Sequence, residues 1–99
     1  MKRKEEVLEF LRTHFDDLHR NFHVKEMALF GSFARGEEKE GSDIDLIVEF
    51  EEGTEEIYRI KSEMRAYLQT RLQRPVDLAR KKYLKPFAKE AILRDAIYI

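Results

Sequence analysis

The sequence predicts an α+β fold, a small mixed β-sheet with helices packed on it. Three observations lead there. Apolar residues recur at helical spacing in some segments and alternate with period two in others. The two kinds of segment follow one another in turn along the chain. The 99 residues are the length of a single domain, expected to span 1–99.

Val7, Leu8, Leu11, Phe15, Leu18 and Phe22 predict one amphipathic helix over about 3–20. Residues 24–30 form a strand that turns apolar toward its end, and Gly31-Ser32 breaks it. The polar stretch 33–40 has room for one or two helical turns. Residues 42–50 form a second strand with Ile44, Leu46, Val48 and Phe50 on one face. After the turn Glu51-Glu52-Gly53, Thr54 is the expected N-cap of a helix to about Gln73, lined by Ile57, Ile60, Met64, Leu68 and Leu72. Pro75 ends that helix and opens a third strand over 76–79. Pro86 suits the first turn of a last helix to about Arg94, and 97–99 adds a short terminal strand.

Charged residues make up 39% of the chain, well above the roughly 25% of ordinary domains, yet the formal net charge is -1. A basic footprint is absent, so no nucleic-acid partner is expected. The chain has no cysteine, which removes disulfides and thiolate chemistry. The basic start Met1-Lys2-Arg3-Lys4 is followed by Glu5 and Glu6 and by no apolar core of a signal peptide. No apolar run is long enough to span a bilayer. A cytoplasmic protein with no membrane partner is expected. A domain this small buries roughly 60–65% of its unfolded surface, enough for one core. Much of an acceptor-binding surface would then come from a partner, and an oligomer is compatible with that.

The chemistry concentrates in three places. In a strand, Asp43 and Asp45 point to the same face, and their carboxylates can converge on one site. Two Mg²⁺ ions in phosphoryl-transfer enzymes are bridged by such oxygens. Alone, an Asp-x-Asp is as readily a solvated strand face. Gly31 permits a tight turn and close backbone approach to a phosphate, and Ser32 adds a hydroxyl donor. Asp77 lies between Val76 and Leu78 in the third strand. If that strand neighbours the second, Asp77 joins the same face and can hold metal or accept a proton; otherwise Arg74 or Arg80 pairs with it. Arg35 could steady a triphosphate or bridge to Glu37 or Glu38. Arg80-Lys81-Lys82 reads as a solvated charge run, and His19 and His23 as surface histidines.

Together, GSFARGEEKEGSDIDLIVEF and the downstream RPVDLA resemble the nucleotidyltransferase superfamily that includes DNA polymerase beta and kanamycin nucleotidyltransferase. The length, the ARG after Gly-Ser-Phe and the SDIDLIV strand are similar to its minimal nucleotidyltransferase (MNT) family. The resemblance is close over about 24–80. It implies the polymerase beta-like fold and an ATP substrate. Gly31, Ser32 and Arg35 would bind nucleotide, and Asp43, Asp45 and Asp77 would be catalytic and hold two Mg²⁺ ions. It further implies an antitoxin that transfers AMP to a tyrosine of a helical HEPN toxin encoded by the adjacent gene. The alternative is a non-catalytic antitoxin that neutralises its HEPN partner by contact alone.

Overall fold

The helical periodicity of the first twenty residues resolves into two helices rather than one. The structure, a computed structural model, describes residues 3–99; Met1 and Lys2, part of the expected 1–99 span, lie outside the described residues. Helix α1 (Lys4–Thr13) and helix α2 (Phe15–Phe22) meet at His14. The His14 ring stacks on Phe10 at 4.1 Å, and its Nδ1 lies 2.9 Å from the Phe10 carbonyl oxygen. That carbonyl also receives the His14 N–H. A side chain that satisfies its own helix end in this way competes with continuation. Asp16 and Asp17 then fall in the first turn of α2, where the free N–H groups favour acidic residues.

Strand β1 (Val24–Phe30) leads into a single helical turn, α3 (Gly31–Ala34), and then β2 (Ile44–Phe50). Helix α4 (Ile57–Leu72) connects β2 to β3 (Val76–Ala79). A short 3₁₀ turn at Lys81–Tyr83, helix α5 (Pro86–Asp95) and β4 (Ile97–Tyr98) complete the chain. The sheet order is β3-β2-β1-β4. β1 is antiparallel to β2 and β4, whereas β2 and β3 are parallel. The sheet is therefore mixed, as expected. The parallel pair needs the long crossover that α4 supplies.

Thr54 does not cap α4. Its hydroxyl donates to the Glu51 carbonyl and closes the Glu51-Glu52-Gly53 turn. The helix starts three residues on, behind Glu56 in the left-handed conformation. Val7, Leu8 and Leu11 of α1, Leu18 of α2 and Ile60, Met64, Leu68 and Leu72 of α4 pack with one face of the sheet. That face carries Met27, Leu29, Ile44, Leu46, Val48, Val76 and Leu78. Helix α5 contributes no buried residue and rests against α3 and β1. No helix among the described residues is long and apolar enough to cross a membrane.

Helix α4 ends on Gln73 at φ 54°, a left-handed cap of the kind glycine occupies without strain. Gln73→Gly is expected to raise the unfolding free energy by about 0.5–1 kcal/mol, the strain relieved less the added freedom of the unfolded chain. Urea unfolding at neutral pH measures it, and an unchanged or lower midpoint would contradict the account of this cap.

Candidate active site

Strand register assembles the site. Phe30 is the antiparallel partner of Asp45, and Asp45 is the parallel partner of Asp77. Three side chains thus line up across the sheet, on the face opposite the core. Neighbouring strands lie about 4.8 Å apart, so the two carboxylates are adjacent. Asp43 stands one residue before β2, exposed, two positions from Asp45. Asp77 is exposed and Asp45 is partly buried. The condition set by the sequence, that the third strand neighbour the second, is met.

Burial pushes the Asp45 carboxyl up to about 6, and the charges of Asp77 and then Asp43 add to the effect. Arg35 opposes it weakly. Among the described residues no ion pair neutralises Asp43, Asp45 or Asp77. The cluster is therefore an acidic surface.

That donor set fits a hard cation. Among the described residues no three carboxylate or imidazole groups stand close enough to form a complete cage. Mg²⁺ does not require one, since it keeps several waters and takes one or two carboxylates together with substrate phosphates. The cluster matches that division of ligands, with the expected trio present as adjoining charges rather than a preformed three-ligand site.

Gly31 closes the other side. It sits at φ +75° directly after Phe30, against Asp45. A methyl group built there would overlap Asp45 Oδ2 and lie 3.1 Å from its Cγ. Only glycine leaves this gap between the backbone and the carboxylate. Ser32 follows in the first turn of α3, whose leading N–H groups have no acceptor within the turn. Arg35 Nε donates to Glu37 at 2.9 Å, so the surface bridge forms; the residue still faces the Asp45 charge.

The remaining cations lie elsewhere. Arg80 pairs with Glu49 at 3.5 Å, and Lys81 with Glu26 at 2.7 Å, so neither is the solvated charge expected nor a partner of Asp77. Arg74 donates to the Ser42 carbonyl at 3.0 Å instead of to Asp77. The His19 ring lies 2.9 Å from the Val24 carbonyl, and His23 caps α2. One feature has no signal in the sequence pattern. A recess of about 220 Å³ opens beside Gly31 and Arg35, walled by Phe30 and by Ala91, Ile92 and Asp95 of α5. It exists only through tertiary packing of α5. A larger recess of about 510 Å³, lined by residues that include Glu6, Glu40 and Arg74, contains none of the three aspartates.

Residues 5–99 match the family described as nucleotidyltransferase domain. A Methanocaldococcus jannaschii protein to which protein adenylyltransferase activity is ascribed is 43% identical over 100 residues, covering 100% of both chains. The protein adenylyltransferase MntA of Thermococcus cleftensis is 39% identical over 95 residues, covering 96% of this chain and 94% of its own. A solved structure described as a minimal nucleotidyltransferase superposes with a TM-score of 0.77 at 33% identity, covering 97% of this chain and 95% of that one. A chain from the complex of an MNT antitoxin with the tri-AMPylated HEPN toxin of Shewanella oneidensis shares the fold. It superposes with a TM-score of 0.60 at 18% identity, covering 91% of this chain and 69% of that one.

The raised Asp45 carboxyl makes stability depend on pH. Unfolded, the group titrates near pH 4; folded, it titrates at about 6. Between those values the native state binds more protons than the unfolded one, so stability falls as pH rises through this window. The loss is complete above the folded value and absent below the unfolded one. Asp45→Asn removes it. Without metal, the variant is expected to exceed wild type by about 1–2 kcal/mol at pH 7.5, discounted for partial exposure, and to match it near pH 4. Urea unfolding in chelator at both pH values checks this, and an equal gap at both would contradict the assignment.

Proposed function

The chain belongs to the nucleotidyltransferase domain family, and from that premise we propose that it transfers AMP from ATP to a tyrosine hydroxyl of a helical HEPN-type partner, acting as its antitoxin. The observation that carries this is the alignment of Asp45 with Asp77 across β2 and β3, with Gly31 packed against Asp45. The names borne by the relatives, protein adenylyltransferase, support a protein acceptor. The HEPN complex with the same fold supports the partner class.

In this reading Asp43, Asp45 and Asp77 hold Mg²⁺, which when bound neutralises the triphosphate and the charge that builds during transfer. Gly31 lets the phosphates approach the backbone, Ser32 donates to them, and Arg35 leaves Glu37 to join them. The nucleoside has room in the recess between Phe30 and α5. The acceptor oxygen bonds to the α-phosphorus, the bond from that phosphorus to the bridging oxygen breaks, and pyrophosphate leaves. Asp77, exposed at the sheet edge, accepts the hydroxyl proton. The partner supplies what remains, a hydroxyl held in line.

The test incubates the protein with Mg²⁺, α-labelled ATP and the product of the adjacent gene. Mass spectrometry is expected to find AMP on a partner tyrosine. Asp43→Asn and Asp77→Asn are each expected to cut transfer by about 100-fold or more while the fold survives. ATP affinity should fall in Asp43→Asn and stay within a few-fold in Asp77→Asn. If the partner is bound and inhibited without ATP and no adduct forms, the contact-only antitoxin reading replaces this one.

A further inference from the structure

Asp43 is the one member of the acidic cluster outside a strand, and it is exposed. Its place is nevertheless defined. The residue before it, Ser42, gives its carbonyl to Arg74 Nη1 at 3.0 Å. The residue after it, Ile44, donates its N–H to the Pro75 carbonyl at 2.9 Å. Asp43 is thus bracketed by two bonds to the single dipeptide Arg74-Pro75, and Asp77 lies two residues beyond that dipeptide. The Arg74 guanidinium also lies 5.6 Å from the ring centroid of Phe33. Phe33 is fully buried and directly follows Gly31-Ser32. One side chain therefore touches a neighbour of the phosphate turn and a neighbour of Asp43, and it is carried by the segment that enters the Asp77 strand.

The backbone ahead of the arginine explains its aim. Gln73 turns the chain through a left-handed cap, and Pro75 restricts Arg74 to extended conformations. Within the loop, Ser42 Oγ accepts the Lys39 N–H and the Ser42 N–H reaches the Lys39 carbonyl, so Ser42 is the knot of the segment before Asp43. The Ile44–Pro75 bond already joins β2 to β3 through backbone alone. The arginine's bond adds something else: it restrains the far side of Asp43.

We propose that Arg74 is a positioning residue of the transfer site, its bond to the Ser42 carbonyl fixing the Asp43 carboxylate relative to Asp45 and Asp77. This rests on the nucleotidyl-transfer reading. Arg74 touches no substrate in it and acts through Asp43.

The test compares wild type, Arg74→Gln and Arg74→Lys. With the partner protein and Mg²⁺-ATP, Arg74→Gln is expected to lower kcat by about 10- to 100-fold and to weaken ATP affinity less than Asp43→Asn does, because Asp43 is misplaced rather than removed. Arg74→Lys keeps a cation and one donor and should recover part of kcat. In ¹⁵N-labelled, metal-free protein the Asp43 and Ile44 amide resonances should move in Arg74→Gln, with those of Met64 and Leu68 unchanged. Wild-type kcat with an unmoved Asp43 amide would overturn the proposal. So would a kcat loss that vanishes at a temperature where the variant is fully folded. If wild type transfers no AMP to any partner, the functional reading fails, and the amide shifts alone decide whether Arg74 sets Asp43.

Discussion

The parallel pairing of β2 with β3 is the constraint on which the rest of the site depends. It brings Asp45 and Asp77 side by side, an arrangement that like charges resist. What holds them is on the other face of the same two strands. Ile44, Leu46, Val76 and Leu78 are buried there in the core, where α4 packs on β3, and a slip of one residue would expose both of the β3 pair and bury the aspartate. Apolar burial on one side thus holds like charges together on the other; the Asp45 carboxyl is raised first by its own burial and then by the neighbouring Asp77 charge.

The open face has two halves with different treatment of charge. Toward one end of β2, Glu49 and Glu26 meet Arg80 and Lys81, and the Lys81 side chain reaches past β2 to β1 to do so. Between the halves lie Ile47 and Ala28, both buried. Toward the other end, no cation among the described residues forms an ion pair with the aspartates. The face is thus neutralised by ion pairs at the Glu26 and Glu49 end and left acidic at the aspartate end.

Much of this was legible in the sequence, for identifiable reasons. The alternation Ile44, Leu46, Val48 announces a strand with one buried face, and that places Asp45 on the other. Pro75 and Pro86 mark where a strand and a helix begin. Gly31-Ser32, Asp43, Asp45 and Asp77 carry a spacing particular enough to name a family. What escaped depends on side chains meeting across the fold. The break at His14 rests on a ring stacking on Phe10, which periodicity cannot register. Thr54 is a sound cap by composition, yet its hydroxyl closes the preceding turn. Arg74 and Arg80 lie near Asp77 in sequence but bond to Ser42 and Glu49, partners more than thirty residues away. The wall that α5 builds beside Gly31 has no local pattern at all.

The contact between Gly31 and Asp45 has a consequence for how such a chain can diverge. Most tight contacts can drift, because one side may grow when the other shrinks. Here the smallest residue already occupies position 31, and its left-handed backbone penalises any replacement. A longer carboxylate at position 45 would find nothing opposite left to remove. The two positions can change only by abandoning the gap between them, so descent with a working site must pass both residues on together.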